Sequence, residues 1–347
     1  MSNPLSKNAK DKPATLKDVA RLAGVTHSTV SRVINHPELV NPTTREKIWQ
    51  CIRELDYHPN PFARGLQTSL SRTIALVVPN ITNLAFANFA RGVQSSLEQN
   101  EPYGLIIASS DEDCIKEKSI CLMLRQHWVD GVIFVSSAGG IPPIELLPEK
   151  MPKVLVERTC KLDNIDTYLL DLDDGIKKAC EHLHGLGHGK IAIILGDATS
   201  ITSKERLKSF KKALALLGLP SRNDYIEKGM WTSWNAKEAM IRLLKSEEPP
   251  TAVFAITDTM AMGAIAGAWE LGLKVPEDVS VIGFNNEPGS AEYNPPLTTL
   301  DTSSFEMGRD AAETLLRRLG EPERPSVEIM YSTKLLVRSS TAPPKRC

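Results

Sequence analysis

Small polar side chains that can form hydrogen bonds cluster at positions 26–35, in the sequence THSTVSRVIN. Hydroxyl, imidazole and guanidinium groups of this kind bind the base edges and phosphates of DNA. Val30, Val33 and Ile34 recur at helical spacing, which predicts a helix whose polar side chains point outward near its N-terminus. Such a helix presents these groups to base edges when it enters a major groove. The alternative is a helix with an ordinary solvated polar face.

Helices are also predicted on both sides of this segment. The first covers residues 16–23 and ends at a glycine, which permits a tight turn. The third covers residues 41–57 and begins with a capping box formed by Thr43 and Glu46. Three short helices with a glycine turn between the first two are typical of a helix-turn-helix unit. Residues 59–72 then form either a plain linker or a marginally stable short helix.

Short apolar runs that alternate with amphipathic helices begin at residue 74. This alternation indicates parallel sheets with helices on both faces, and its two successive series predict two lobes. A late helix from residue 300 and a last strand over residues 329–341 complete the pattern. The other predicted strands cover residues 74–80, 103–110, 130–137, 153–159, 191–197, 251–258 and 278–286.

Polar or aromatic side chains follow several of the predicted strands. Ligands of such sheets bind beside the carboxyl ends of the strands, and a cleft between two lobes is the expected small-molecule site. Taken singly, each side chain has a plain alternative as a loop cap or a surface charge, but their shared position predicts a site for a hydroxyl-rich or anionic molecule. These residues are Asn80 with Phe86, Glu157 with Arg158, Asp197 with Arg206, Thr257 with Asp258, and Asn285 with Asn286, together with Trp231.

Composition excludes several classes of protein. The 347 residues are 41% apolar and 24% charged, as expected for a globular protein of two or three domains. No apolar run approaches the roughly 20 residues of a membrane span, and the polar, basic start does not predict a secretory signal. Six cysteines without CxxC pairs argue against zinc sites and disulfides and favour a cytoplasmic location.

The sequence also lacks catalytic motifs. GxSxG, a P-loop lysine and HExxH are all missing, so we expect no enzymatic activity. Three histidines at positions 182–188 are interpreted as a helix end, and the acidic residues at 171–174 as a solvated loop. We therefore expect neither a cofactor nor a metal.

Charge is distributed unevenly along the chain. Residues 1–72 contain 11 Lys and Arg against 6 Asp and Glu, a net charge of +5, whereas the remainder contains 30 against 36, a net charge of −6. A basic N-terminal part on an acidic body indicates that the two parts meet different partners. Chance clustering is the alternative on charge alone.

Several stretches carry a resemblance to a known family. Near the start they are LKDVARLAGVTHSTVSRVIN, LDYHPNPFARGL and SRTI, and in the body TIALVVPNITN, LGHGKIAIILGD, TDTMAMGAIAGAWELGLKVPEDVSVIGFNN and LLVRSST. Over nearly all residues past 14, the chain resembles the lactose-repressor/galactose-repressor (LacI/GalR) family of bacterial transcription regulators. The body of that family itself resembles periplasmic sugar-binding proteins.

The resemblance implies which side chains contact DNA. His27 and Ser28 match the variable base-reading positions, and Leu66 matches the hinge leucine that is pushed between central base pairs. Such an apolar wedge unstacks a base step and bends the duplex. The other implied contacts are Thr26, Thr29, Arg32 and Asn35, which fix and read the site, and Ala63 and Arg64, which line the minor groove beside the wedge.

The resemblance also implies an effector site. Phe86 and Trp231 are expected to stack on the effector, while Arg206 forms charged hydrogen bonds with it. Glu157, Thr257 and Asn285 complete the polar shell by the same match.

Three departures from the family pattern bear on this site. The chain has Leu84 where a proline is common, Thr257 where the family usually has Asn, and Asn285 where it has Asp. A lost carboxylate at position 285 makes the pocket less acidic, which favours a sugar acid or a phosphorylated sugar.

The expected protein is an α/β two-lobed, periplasmic-binding-protein-like core behind an all-α helix-turn-helix headpiece. We expect a disordered tail over 1–13, the headpiece over 14–58, the hinge over 59–72, the core over 73–340 and a disordered end over 341–347. Its function would be that of a cytoplasmic, homodimeric repressor that binds a palindromic double-stranded operator under control of a small-molecule effector, a sugar or sugar acid. The alternative is a sugar-binding protein or sugar-modifying enzyme without a role on DNA.

Overall fold

The computed structural model describes residues 14–57, 70–100, 103–126, 129–135, 142–157 and 165–345. Contacts divide the chain into two compact units, residues 1–71 and residues 72–347. Within the described ranges, no helix is both long enough and apolar enough to cross a membrane.

Residues 14–57 fold into three α-helices, α1 (Leu16–Ala23), α2 (His27–Asn35) and α3 (Pro42–Glu54), with a 3₁₀ turn at Pro37–Leu39. Gly24 ends α1 with φ +65°, a left-handed conformation that glycine adopts without steric cost. Asn41 caps α3 by accepting the N–H of Thr43 at 2.9 Å, and a proline occupies the first helical position. The prediction that Thr43 and Glu46 form the capping box of this helix is therefore wrong, because Asn41 is the N-cap. The headpiece core contains Val19, Ala23, Val30, Val33 and Ile48, all fully buried.

The first lobe of the larger unit is built on a parallel sheet. Its described strands lie in the order β11-β5-β4-β3-β1-β2. Helices cover both faces of this sheet, so its inner strands are continuously apolar rather than alternating. The strands are β1 (Thr73–Val78), β2 (Gly104–Ser109), β3 (Gly131–Val135), β4 (Lys153–Val156), β5 (Asp166–Leu170) and β11 (Glu328–Tyr331); the helices are α4 (Leu84–Asn100), α5 (Cys114–Gln126) and α10 (Ser304–Gly320), with a 3₁₀ turn at Ile144–Leu146.

The second lobe repeats this plan. Its described strands lie in the order β12-β10-β9-β8-β6-β7, and β12 alone among them runs antiparallel to its neighbour. The strands are β6 (Ile191–Leu195), β7 (Ile226–Lys228), β8 (Ala252–Ala255), β9 (Ser280–Asn285), β10 (Thr298–Asp301) and β12 (Lys334–Leu336); the helices are α6 (Leu172–Gly185), α7 (Ile201–Leu216), α8 (Ser233–Leu244) and α9 (Asp258–Glu270), with a 3₁₀ turn at Asn223–Tyr225.

Within residues 165–345 the chain passes between the two sheets three times, after β5, after β10 and after β11. The last passage corrects the prediction of one strand over 329–341, since β11 and β12 belong to different sheets. Thr333, between them, is fully buried against Gly175, where an added Cβ would lie 1.9 Å from the threonine Oγ1. A glycine at 175 therefore lets the first and last passages pack closely.

The end of the chain also differs from expectation. Residues 341–345 are ordered on the second lobe, although a disordered end was predicted from residue 341. The Ala342 N–H donates to Ser280 Oγ at 3.0 Å, and the Ala342 carbonyl accepts from His188 Nε2 at 2.9 Å. These tertiary hydrogen bonds fix a segment whose composition alone gives no reason for order.

Candidate functional site

A cavity of about 830 Å³, including space open to solvent, lies between the two lobes. It is lined from the carboxyl ends of β1, β3, β4 and β5 on one side and of β8, β9 and β10 on the other. This is where ligands of open α/β sheets bind. The structure brings all six predicted effector residues to this cavity: Phe86, Glu157, Arg206, Trp231, Thr257 and Asn285.

Arg206 is held in a fixed orientation at the cavity wall. It projects from α7 and is 4% exposed. Its Nη1 donates to the Ile256 carbonyl at 2.5 Å, and its guanidinium carbon lies 4.0 Å from the centre of the Phe284 ring. A planar guanidinium anchored in this way is pre-oriented for hydroxyl or carboxylate oxygens, because little rotamer freedom remains to be lost on binding.

Trp231 lies at the cavity on a strained stretch of backbone. Its φ is +61°, in the left-handed region that a bulky residue rarely adopts. The indole packs on Gly196, where an added Cβ would lie 2.1 Å from the ring carbon Cε2. The indole Nε1–H is buried and has no hydrogen-bond partner among the described residues. A ligand acceptor at this position would satisfy a donor that is otherwise costly to bury.

Two of the other predicted effector residues also have positive φ. Glu157 has φ +59° and Asn285 φ +106°, each directly at the end of a strand. Residues held in this region cluster at ligand sites because the surrounding structure fixes them against their own preference. Thr257 is nearly fully buried, and its side chain caps α9 by accepting the Met260 N–H at 3.2 Å. The structure therefore gives Thr257 a helix-capping role as well as a place on the wall.

Two buried carboxylates lie behind the cavity wall of the second lobe. Asp258 is fully buried; it accepts the Thr299 hydroxyl at 2.5 Å and the Glu287 N–H at 2.6 Å. Burial, reinforced by the nearby Glu287, raises the pKa of Asp258 to about 8. Burial likewise raises the pKa of Glu287, which accepts the Thr259 hydroxyl at 2.7 Å. Gly283 leaves room for Asp258, since a Cβ there would lie 2.1 Å from Oδ1.

Several polar residues at the cavity were missed by sequence reasoning. Some sit at helix starts or at a lobe crossing, where Ser and Thr also occur as ordinary caps, so their residue type carries no distinct signal. Ser200, for example, caps α7 by accepting the Ser203 N–H. The missed polar residues are Asn83, Glu112, Ser200, Thr202, Thr302 and Ser304, and apolar side chains that include Phe89, Val135 and Met307 complete the lining.

Not every predicted strand-end residue reaches the cavity. Asp197 folds back on its own loop and accepts the Thr199 N–H and hydroxyl, both at 2.7 Å. Asn286 accepts Arg338 Nη2 at 2.9 Å instead. Arg158 lies outside the described residues. Asn80, in contrast, lines the cavity as predicted.

In the headpiece, α2 presents the predicted polar side chains at its N-terminal end. Thr26 caps the helix by accepting the Thr29 N–H at 3.2 Å, and its hydroxyl lies 2.9 Å from that of Ser28. Thr26, His27, Ser28 and Arg32 are exposed, while Thr29 and Asn35 are half-buried. The outward face and the free N-terminal end of α2 suit contact with base edges and phosphates. Ala63, Arg64 and Leu66 lie outside the described residues.

The histidines and acidic residues at 171–188 have structural partners. His188 is buried, and its ring nitrogens contact Thr251 Oγ1 at 2.9 Å and Ser280 Oγ at 3.1 Å. Asp171 caps α6, which corrects the prediction of a solvated loop for this segment. In the parts of the chain that the structure describes, no group of three or more His, Cys, Asp or Glu is arranged to hold a metal.

Comparison with known proteins matches both units of the chain. Residues 15–60 match the bacterial regulatory proteins of the lacI family, and residues 180–341 match a periplasmic binding protein-like domain. Catabolite control protein A of Priestia megaterium is 34% identical over 329 residues, which cover 94% of this chain and 99% of that protein. The chain belongs to the LacI family.

Other similar proteins agree with this assignment. The transcriptional repressor PurR of Aliivibrio salmonicida (strain LFI1238) is 34% identical over 88% of this chain and 92% of its own length. The lac repressor dimer, solved bound to operator and the anti-inducer ONPF, matches with a TM-score of 0.83 at 26% identity, over 95% of this chain and 100% of that one. A complex of the transcriptional regulator CelR with cellobiose matches with a TM-score of 0.69 at 29% identity, over 94% of this chain and 99% of that one.

Family membership confirms the predicted architecture and class of function. The chain is a DNA-binding transcriptional regulator with a helix-turn-helix headpiece and a two-lobed core suited to a small-molecule effector. Its relatives named above are transcriptional regulators and not enzymes, which argues against the alternative of a sugar-modifying enzyme.

Proposed function

We propose that this LacI-family regulator binds a sugar or a sugar acid in the cavity between its lobes and that this effector controls its affinity for operator DNA. The observation that carries the proposal is the convergence of six predicted effector side chains on one cavity. Phe86 and Trp231 offer aromatic rings to the apolar face of a sugar ring. Arg206 and the indole N–H of Trp231 offer donors to its oxygens, and Asn285 adds a polar amide. The CelR structure, named as a cellobiose complex, supports this class of ligand.

The recognition of DNA is assigned to α2 and to the hinge. Thr26, Thr29, Arg32 and Asn35 fix and read the site, and His27 and Ser28 select bases. The exposure of the N-terminal end of α2 supports this assignment. Ala63 and Arg64 line the minor groove beside the Leu66 wedge, by family resemblance. Since the partner is DNA, we place the protein in the cytoplasm.

We propose that the regulator acts as a homodimer on a palindromic operator, because a twofold protein matches a twofold site. Exposed apolar side chains on the core support a second copy as partner. Ile106 and Ile107 are exposed on β2, an edge strand among the described residues, and long apolar edges are normally covered. Trp234 on α8 and Trp269 on α9 are also exposed, at 67% and 50%. The lac repressor is a dimer in its operator complex.

The switch follows from coupling between the two sites. An effector that binds one lobe arrangement more tightly shifts the protein toward it, and DNA then changes effector affinity by the same factor. Whether the effector releases the operator or strengthens its binding depends on which arrangement binds DNA. The sign of the coupling between effector and operator is therefore to be measured.

Isothermal titration calorimetry with matched sugar pairs tests the effector class. D-glucose with D-glucuronate and D-galactose with D-galacturonate differ only in a hydroxymethyl or a carboxylate at C6. We expect binding from at least one pair member, lost in Trp231→Ala and retained in Trp49→Ala, which alters an exposed tryptophan on α3 of the headpiece. Unchanged binding in Trp231→Ala would contradict the assignment of the effector site to this cavity. If an acid binds more weakly than its neutral partner, the preference for sugar acids is wrong.

A second measurement tests the DNA role. Affinity for operator DNA should fall steeply as salt rises, because contacts with phosphates release condensed counterions. A salt-independent affinity would contradict the assignment of α2 and the basic headpiece to DNA.

A further inference from the structure

Asn285 lines the cavity, and its side-chain amide contacts Glu287, a buried acid that does not line the cavity. It lies at the end of β9, is almost fully buried and lines the cavity. Its side-chain nitrogen Nδ2 lies 3.5 Å from Oε1 of Glu287, which is 2% exposed behind it. An amide can present either its N–H groups or its oxygen to a ligand. The group that faces Glu287 therefore decides which one is left for the cavity.

The charge of Glu287 selects the amide orientation. A carboxylate accepts hydrogen bonds only, so it attracts Nδ2 and repels the amide oxygen. The amide oxygen of Asn285 is then left toward the cavity, where it accepts from a ligand hydroxyl. A protonated Glu287 can donate its O–H to the amide oxygen, which leaves Nδ2 free to donate to a ligand carboxylate. The presence of a proton on Glu287 thus determines whether Asn285 presents a donor or an acceptor to the cavity.

We propose that Glu287 is a positioning residue that, through its protonation, sets whether Asn285 offers the effector a hydrogen-bond acceptor or a donor. The effector part of this inference rests on the proposed function of the cavity. The preference between a hydroxyl and a carboxylate on the effector then changes with pH in this one protein.

The surroundings of Glu287 favour its protonated form. The carboxylate of Asp258 accepts the Glu287 backbone N–H at 2.6 Å, so two buried acids lie close together. Ionising both there is unfavourable, and the pair loses its protons in coupled steps. Burial raises the pKa of each acid.

Two arginines and one tyrosine from other parts of the second lobe interact with the two acids. Arg206 of α7 acts on Glu287 and favours its ionised form. Arg338, after β12, acts in the same sense on Asp258. Tyr293, after β9, stays neutral, since burial and the two carboxylates raise its pKa to about 12. Thr259 donates to Glu287 Oε2 in either state, which leaves Oε1 as the oxygen that faces the amide.

Nuclear magnetic resonance of the effector-free, full-length protein tests this without a ligand. The side-chain amide of Asn285 is labelled with ¹⁵N and assigned with Asn285→Ser, and its position is followed between about pH 5 and about pH 9, the range in which perturbed acids titrate. We expect the resonance to titrate in the wild type and to stay still in Glu287→Gln. The Asn80 amide, on the other lobe of the same cavity, serves as the internal control.

Asp258→Asn distinguishes the two acids. It keeps an acceptor for the Glu287 N–H and a partner for Thr299 but removes the neighbouring charge. Glu287 should then ionise more easily, and the Asn285 titration should persist and move to lower pH. Three results would each overturn the proposal. They are an Asn285 resonance that does not move with pH in the wild type, one that titrates in Glu287→Gln as in the wild type, and one that no longer titrates in Asp258→Asn. None of these outcomes depends on the effector, so they are separable from a failure of the proposed function.

Discussion

The stability of the core should depend on pH through Asp258. Its pKa rises from an ordinary 3.8 to about 8 because the side chain is fully buried beside Glu287. Between these two values the folded protein holds a proton that the unfolded chain has released. The stabilisation is therefore fully present below about pH 4 and is lost as pH rises toward 8, by about 1.4 kcal/mol per pH unit. The whole change is on the order of 5 kcal/mol, comparable with the total stability of many domains.

Asp258→Asn should remove this dependence. Asparagine has the same shape, can accept the Glu287 N–H and can donate to Thr299, so the packing is kept. Urea unfolding of the full chain, followed by circular dichroism at about pH 5 and about pH 8.5, measures the difference. The wild type should lose several kcal/mol between the two, and the variant should lose much less. Asp113→Asn, at an exposed cap of α5, is the matched control. An equal loss in wild type and Asp258→Asn would refute the reasoning.

Substitutions at four other residues separate the DNA site from the effector site. Arg206→Ala should weaken effector binding roughly 10-fold to 150-fold, the equivalent of a charged hydrogen bond, and leave operator affinity unchanged; a normal effector response in a gel-shift titration would remove Arg206 from the site. Exchanging His27 or Ser28 should change the preferred base at one position by about 1–3 kcal/mol, and selection from randomised operators that returns the wild-type site would contradict this. Leu66→Gly should reduce affinity for operator more than for nonspecific DNA, and equal losses by fluorescence anisotropy would count against a wedge.

The convergence of the site could be predicted from sequence because parallel sheets impose it. Residues that follow the strands of one parallel sheet meet at one edge, so the sequence predicts that Thr257 and Asn285 of the second lobe lie together. Glu157 follows a strand of the first lobe and joins them because the cavity lies between the two lobes. Helix spacing with a glycine turn likewise predicted the headpiece and its outward polar residues. In both cases a pattern in neighbouring residues is enough to predict which side chains lie together in the fold.

Other features depend on contacts that no local pattern encodes. The apolar run at 329–341 looks continuous, yet Thr333 is buried at a crossing and its two sides join different sheets. The segment from Thr341 to Lys345 is ordered only through partners such as Ser280 and His188. The burial of Glu287 behind Asn285 arises in the same way, since its residue type and position alone predict an exposed acid.

Footprinting on the DNA upstream of the regulator's own gene and its neighbours, with and without a panel of sugars, sugar acids and nucleosides, tests the central claim most directly. The account predicts a protected palindrome whose protection one sugar or sugar acid abolishes or strengthens, with that response lost in Arg206→Ala. A compound that binds the cavity while no site is protected under any condition would contradict it, because the two sites would then not be coupled.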